Sequence, residues 1–197
     1  SPWEYIYKNA LRIPTIKTPE LQFGSTVHLV LEKIGKRITE GSELPSDSEI
    51  SNWLKSALGS NLLTTEEFTR QHERAFAALM SYLPTLRQSL GATIRTEYST
   101  KALMQTGIDD FPEVLLTGNF DRLDFAADGQ LIKVVDYKTG KTKTRGEIEG
   151  TTKSSNGDYK RQLVFYALLL SLHPDERFHT KTGVLSFVEP DSKGFIH

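Results

Sequence analysis

Two short patterns overlap in the stretch VVDYKTGKTKTR, residues 134–145, and each would handle phosphate by a different chemistry. Read from Gly140, GKT matches the end of a phosphate-binding P-loop, whereas Asp136 begins a DYK triplet that pairs a carboxylate with an amine. A P-loop requires a second glycine five residues earlier, and residue 135 is valine. The following residues also lack the apolar periodicity of a P-loop helix. We therefore interpret GKT as incidental.

The DYK triplet indicates a metal-assisted reaction at phosphate. Asp136 ends an apolar, strand-like run, LIKVVDY. In a strand, Asp136 and Lys138 project to the same face, about 6.5–7 Å apart. A carboxylate can hold Mg²⁺ or Mn²⁺ while a nearby ammonium reaches the water or the phosphate. A surface ion pair would give the same triplet, so the interpretation depends on further residues.

Asp121, in the preceding run, supplies a second carboxylate. Asp128 and Gly129 lie between two β-rich segments and predict a tight hairpin. Asp121 and Asp136 are about equally far from that turn, so they can share one metal ion on adjacent strands. The alternatives are a loop role or a salt bridge from Asp121 to Arg122. Asp124, three residues further on, alternates to the opposite face.

Four more polar residues could complete such a site. Gln162 and Tyr166 are four residues apart and share one face of a predicted helix. His28 borders the apolar stripe of an early helix, and Glu97 lies in the strand-like run IRTEYST. Each has a structural alternative: a core helix with two satisfied polar groups, a structural histidine, and an exposed glutamate.

The periodicity predicts the elements that must position these residues. Predicted helices cover residues 3–13, 22–39, a short segment around 53–58, about 64–90 and 159–172, the last capped by Asp158. Predicted strands cover 92–100, 113–127, 131–137 and 183–189. This order predicts an α/β architecture with a mixed sheet.

Composition excludes several classes of protein. The 197 residues fit one domain, and the chain has no apolar run of the ~20 residues that a membrane span needs. It has no cysteine, which excludes disulfides, thiol catalysis and cysteine-ligated clusters. Net charge is −1, but residues 131–161 hold eight Lys/Arg against four Asp/Glu, directly after the candidate site. We expect a cytoplasmic protein.

Four motifs together resemble the RecB-like branch of the PD-(D/E)xK nuclease superfamily, which includes the nuclease domains of RecB, of AddAB-type helicase–nucleases and of Cas4. The motifs are FGSTVH at 23–28, GNFDRLD at 118–124, VVDYKTG at 134–140 and QLVFY at 162–166. The resemblance runs from about residue 3 to 188. It implies a restriction-endonuclease-like mixed β-sheet flanked by helices, with a helical N-terminal insertion. It also implies one nuclease domain over 1–197, mainly helical over 22–90, with the α/β catalytic core over 91–197.

The resemblance assigns roles to individual residues. It implies that one or two Mg²⁺ or Mn²⁺ ions are held by His28, Asp121, Asp136 and the backbone carbonyl of Tyr137, with Glu97 as an additional candidate. Lys138, Gln162 and Tyr166 complete the catalytic set. The basic residues expected to track the DNA backbone are Arg122, Lys141, Lys143, Arg145, Lys160 and Arg161.

The implied activity is metal-dependent hydrolysis of DNA, as an exonuclease on single strands within a helicase–nuclease of DNA repair and recombination. The lack of cysteine indicates the type without an iron–sulfur cluster. The opening segment SPWEYIYKNALRIP resembles the tail of a segment that begins such domains, so we expect a piece of a UvrD/AddA-type protein whose partners are DNA and helicase domains. The alternative is a catalytically inactive nuclease fold that serves as a DNA-binding or scaffolding module.

Overall fold

The first helices begin at capping residues that the sequence supplies. In this computed structural model, which describes residue 6 and residues 18–59, 63–180 and 182–197, helix α1 spans Pro19–Thr39 and follows Thr18, whose hydroxyl accepts a hydrogen bond from Leu21 N. Helix α2 spans Asp47–Gly59 and α3 spans Thr65–Ser89. Thr64 and Glu67 form a capping box at the start of α3. Apart from residue 6, the helix expected over 3–13 lies outside the described residues.

The sheet has four strands in the order β1-β2-β3-β4. The strands are β1 Thr93–Ile108, β2 Phe111–Phe125, β3 Leu131–Lys138 and β4 Gly183–Phe187. The first three are antiparallel neighbours, and β4 is parallel to β3. The β2–β3 hairpin turns at Gly129, which has a φ of 84°, as the Asp128-Gly129 pair predicts. The predicted mixed α/β sheet is confirmed.

Two further α-helices and one turn of 3-10 helix, Glu176–Phe178, lie between β3 and β4. Helix α4, Arg145–Glu149, is a short element between the predicted strand at 131–137 and the predicted helix at 159–172, where the sequence predicted neither helix nor strand. Helix α5, Asp158–Ser171, begins after Gly157, which caps it without a side-chain hydrogen bond. The predicted N-cap at Asp158 is therefore wrong by one position, because Asp158 is already the first helical residue.

Strands β1 and β2 extend beyond the rest of the sheet as a hairpin arm. Only residues 92–100 of β1 were predicted as strand, yet the pairing of β1 with β2 continues to Ile108 and Phe111. Leu103 and Leu115 face each other across this arm, and both are more than half exposed. Of the helices in the described part of the chain, none is long and apolar enough to cross a membrane.

Hydrophobic cores cover both faces of the sheet. The first core joins α1, α2 and α3 to Val135 and Tyr137 of β3. The second core joins α5 to Val134 of β3 and to Phe120 and Leu123 of β2. Because neighbouring residues of β3 point to opposite faces, one strand serves both cores. The catalytic candidates of β2 and β3 therefore lie in the sheet between these two cores.

Candidate active site

Strands β1 and β2 depart from regular geometry at Glu97 and Asp121. The ladder pairs Thr96 with Arg122 and Tyr98 with Phe120, which leaves Glu97 opposite Asp121 without a ladder pair. Glu97 has a φ of 48°, in the left-handed region that a glutamate rarely adopts. Residues in such strained conformations cluster at functional sites.

Side-chain alternation along β2 also breaks at this level. Phe120 and Leu123 both pack in the second core although they are an odd number of residues apart. Arg122, between them, is buried on the other side, where it bonds Ser89 at the end of α3. A regular strand cannot place Phe120 and Leu123 on one face. The irregularity lets the carboxylates of Glu97 and Asp121 turn towards α1.

His28, Glu97 and Asp121 form a compact group of potential metal ligands. One ligand atom from each lies within 4.8 Å of the others. His28 Nδ1 is 3.5 Å from Asp121 Oδ1, and Asn119 donates a hydrogen bond to Glu97 Oε2. Carboxylate oxygens with one imidazole nitrogen form a donor set that suits Mn²⁺ and also takes Mg²⁺. The residues present therefore fit the ion that the sequence motifs imply.

Asp136 lies beside this group rather than inside it. Arg122 pairs with Val135, so Asp121 and Asp136 occupy the next positions of the two strands. Asp121 Oδ2 accepts a hydrogen bond of 2.7 Å from the backbone amide of Tyr137. The Tyr137 backbone also forms a hydrogen bond that raises the pKa of His28. Of the two backbone groups, only the carbonyl oxygen can accept from a protonated imidazole and so raise its pKa, which makes the Tyr137 carbonyl oxygen the partner of His28.

The second half of the site is a hydrogen-bonded group around Asp136. Asp136 Oδ1 accepts from Gln162 Nε2 at 2.8 Å and from the Tyr166 hydroxyl at 3.0 Å. Lys138 Nζ donates to Gln162 Oε1 at 2.7 Å and lies 2.7 Å from Asp136 Oδ2. Apart from this ion pair, Oδ2 accepts no hydrogen bond from the described residues. The group fixes the Lys138 ammonium at the edge of the metal-ligand cluster.

Several groups of the site hold protons more tightly than usual, among them Asp136, Glu97 and His28. Burial raises the pKa of the Asp136 carboxyl, and the neighbouring charge of Asp121 raises it further against the opposing effect of Lys138. Burial likewise raises the pKa of Glu97. Burial alone would lower the pKa of His28, but the hydrogen bond and negative charge of Asp121 outweigh it. Such a site attracts a cation, because a cation removes the repulsion between its carboxylates.

Arg122 does not fit the DNA contact that was predicted for it. Its side chain is 1% exposed and forms an ion pair of 2.8 Å with the buried Asp124. It also donates to the Tyr137 hydroxyl at 3.2 Å. A guanidinium enclosed in this way cannot reach a phosphate at the surface, so Arg122 has a structural role.

The other predicted DNA contacts lie at or near the surface. Lys141, Arg145, Lys160 and Arg161 are exposed. Lys143 is partly exposed and forms an ion pair of 3.1 Å with Glu147, and Arg161 forms one with Asp158. Exposed ion pairs of this kind are weak, so both side chains can exchange partners for phosphate.

Tyr159 is a site residue that the sequence analysis missed. Its ring centroid lies 5.0 Å from Lys138 Nζ, and its ring meets Phe187 edge-on at 6.4 Å. Its sequence signal was the helical spacing, since Tyr159, Gln162 and Tyr166 are three and four residues apart on α5 and share one face.

Comparison with known proteins agrees with this geometry. The family model described as the PD-(D/E)XK nuclease superfamily matches residues 1–194. No curated protein matches the chain significantly.

Proposed function

The chain belongs to the PD-(D/E)XK nuclease superfamily, and from this premise we propose that it is a Mg²⁺- or Mn²⁺-dependent deoxyribonuclease that hydrolyses phosphodiester bonds. The observation that carries the proposal is the convergence of His28, Glu97 and Asp121 to within 4.8 Å. That convergence lies next to the bonded group of Asp136 and Lys138, because Asp136 is opposite Asp121 on the neighbouring strand.

His28, Glu97 and Asp121 would hold the ion, with Asp136 and the Tyr137 carbonyl at its border. When bound, the ion neutralises phosphate charge and lowers the pKa of a water molecule. Asp121 is fixed for this task by the Tyr137 amide. The Glu97 carboxylate is oriented by Asn119, whose own side-chain oxygen accepts a hydrogen bond of 2.8 Å from Ser99.

Lys138 would stabilise the charge that develops on the phosphate. Its ammonium is held by Gln162 Oε1 and by Asp136, so it need not reorganise during the reaction. Tyr166 supports the arrangement by donating to Asp136. Gln162 and Tyr166 therefore act through Asp136 and Lys138.

The finer aspects of the function rest on the resemblance to RecB-like nucleases. We propose exonucleolytic cutting of single-stranded DNA, in a helicase–nuclease of DNA repair and recombination, by one domain that covers residues 1–197. Product lengths from end-labelled single and double strands test the mode: stepwise mononucleotide release supports an exonuclease, and internal fragments from a circular single strand contradict it.

Cleavage assays with Mg²⁺ and Mn²⁺ test the main proposal. Asp136→Asn and Lys138→Ala should each lower the cleavage rate by about 100-fold or more, the scale of losing one preorganised charge-stabilising group. The matched controls are Asp109→Asn in the hairpin arm and Lys55→Ala on α2, both exposed and remote from the site. Equal activity of the site variants and their controls would contradict the assignment.

Titration calorimetry with Mn²⁺ separates the active enzyme from an inactive nuclease fold. An inactive module that lost its ligands need not bind the ion. We expect the wild type to bind Mn²⁺ and Asp121→Asn to bind it weakly. No detectable Mn²⁺ binding by the wild type, together with no cleavage, would favour the DNA-binding alternative.

A further inference from the structure

A cleft opens beside the candidate active site in the segment that joins β3 to α5. It has a volume of about 370 Å³, within the ~300–1,000 Å³ range of small-molecule sites. Its lining includes Lys143, Ser155, Asn156 and Tyr159. Tyr159 also contacts Lys138, so the cleft begins where the proposed phosphate site ends.

The cleft lining carries one positive and two negative side chains, and this net negative charge disfavours a second phosphate inside it. Lys143 is its only lining cation among the described residues, and Glu147, also in the lining, pairs with it at 3.1 Å. Asp158 adds a further negative charge to the lining, and its partner is Arg161. Besides these three charged residues, the lining consists of two serine hydroxyl groups, one carboxamide and one phenol ring. Such a surface suits a nucleobase, which has an apolar face and a polar edge.

Lys138 Nζ lies over one face of the Tyr159 ring, 5.0 Å from the ring centroid, so a base would stack on the opposite face. Phe187 supports the Tyr159 ring edge-on, and the Tyr159 hydroxyl makes no hydrogen bond with any residue that the structure describes. Stacking of a base on an aromatic side chain tolerates every base and contributes about 1–3 kcal/mol. The Tyr159 ring centroid and Lys138 Nζ are 5.0 Å apart. A base stacked on Tyr159 would therefore belong to the nucleotide next to the phosphate at Lys138.

The walls of the cleft are held in place before any ligand binds. Thr144 and Glu147 form a capping box that starts α4. Arg161 donates to the backbone oxygen of Asn156, and Asn156 Oδ1 accepts from Asp158 N at 3.3 Å, which leaves the amide nitrogen free to donate to a ligand. A preformed cleft lowers the entropic cost of binding.

We propose that this cleft is a nucleobase subsite, in which Tyr159 stacks on an unpaired base adjoining the phosphate held at Lys138. The inference rests on the proposed nuclease function and extends it, because a base can enter the cleft only when it is not paired in a duplex. The subsite would therefore select single-stranded DNA over duplex DNA.

Binding of abasic oligonucleotides tests the subsite without any need for cleavage. Fluorescence anisotropy in Ca²⁺ would compare single strands that each lack one base, with the abasic position moved stepwise along the strand. For the wild type we expect one position at which base removal weakens binding by about 5- to 100-fold, the range of one stacked base. Tyr159→Leu should bind all strands weakly, and its affinity should no longer depend on which base is missing. Tyr159→Phe should keep the loss of affinity at that one position.

The outcomes separate this inference from the nuclease proposal. An unchanged abasic profile in Tyr159→Leu, or a flat profile in the wild type, overturns the subsite even if the protein cuts DNA. A Tyr159-dependent position together with no cleavage in Mg²⁺ or Mn²⁺ supports the subsite and overturns the nuclease. If Tyr159→Leu does not fold, judged by its thermal melt, the exposed Asn156→Ala gives the second test. The Asn156→Ala variant should reduce the loss of affinity at the same abasic position, and an unchanged loss overturns the proposal.

Discussion

At the scale of single residues, protons compete with a cation for the candidate site. The pKa values of Glu97, Asp136 and His28 are all raised above their usual values. The two carboxyl groups have a higher pKa in the folded state than in the unfolded state. This difference stabilises the fold at pH values below the unfolded-state pKa. That stability is lost as the pH rises through the folded pKa. The metal-free protein should therefore become less stable as these carboxyls ionise.

Thermal melts between pH 5 and 8 check this expectation. Mn²⁺ should raise the melting temperature more at pH 8 than at pH 5, because the ligands are then free of protons. Calorimetric titrations in two buffers with different ionisation enthalpies should also detect proton release on binding. A stabilisation by Mn²⁺ that does not depend on pH would contradict the ligand set of His28, Glu97 and Asp121.

Glu97 allows a sharper test than the motif residues. Glu97→Gln removes one charge and one strong oxygen donor from the cluster, so we expect Mn²⁺ affinity to fall by about 10- to 100-fold. Glu113→Gln in the exposed arm is the matched control, since the Glu113 carboxylate hydrogen-bonds only Gln105 among the described residues. The same affinity in both variants would remove Glu97 from the proposed ligands.

The spacing of residues in the sequence predicts part of this site, and the rest depends on backbone geometry that the spacing does not show. The Asp136–Lys138 spacing predicts a shared face, and the two side chains indeed lie 2.7 Å apart. Alternation could not predict the convergence of Glu97 with His28, because Glu97 lies at a break in the strand with a φ of 48°. It also could not predict the burial of Arg122, which depends on the end of α3 packing over β2.

At the scale of elements, α1 and β1 meet at a glycine, and this contact brings His28 towards Glu97. A Cβ at Gly35 would lie 2.2 Å from Thr96 Cγ2, far inside contact distance. Gly35→Ala should therefore push α1 away from β1 and lower both stability and Mn²⁺ affinity. We expect a loss of about 1–3 kcal/mol in the free energy of unfolding, the usual cost of overpacking, measured by urea denaturation.

A second substitution distinguishes this clash from a general effect on the helix. Thr96→Ser removes Cγ2, and the next contacts of the new Cβ are then at 3.4 and 3.6 Å, which is ordinary packing. The double variant Gly35→Ala/Thr96→Ser should recover most of the stability and the Mn²⁺ affinity. Gly59→Ala is the control, since a Cβ there meets nothing within 4 Å. No recovery would show that the α1–β1 contact does not set the site.

The sequence predicted the helices more closely than the length of β1. Helices α1, α3 and α5 begin and end within about three residues of the expected positions, because capping residues and apolar stripes mark them locally. Beyond Ala102, no residue of β1 packs in either core, so the hydrophobic pattern there is weak. The strand conformation of this part of β1 depends on pairing with β2, which is a tertiary contact.

At the scale of the whole molecule, a buried ionic network lies beside the first core, between the end of α3 and the sheet. Arg122 and Asp124 form the central pair, with exposed fractions of 1% and 0%, and Lys133 Nζ lies 3.3 Å from Asp124. Arg122 also bonds Ser89 at the end of α3 and Tyr137, whose backbone borders the candidate site. The network therefore ties the helical layer to β2 and β3 directly behind Asp121 and Asp136.

Asp124→Asn should destabilise the fold strongly, because it leaves the Arg122 charge buried without its counterion. Breaking one partner of a buried pair costs about 3–5 kcal/mol, whereas an exposed change such as Asp109→Asn should cost less than about 0.5 kcal/mol. Urea denaturation of both variants measures the difference. Replacing the pair together, as Arg122→Met/Asp124→Leu, removes both charges and should recover much of the loss. If the double variant is stable yet binds Mn²⁺ as weakly as Asp121→Asn, the network is needed to hold β2 and β3 in register at the site. If the double variant binds Mn²⁺ as tightly as the wild type does, apolar packing alone can position the ligands.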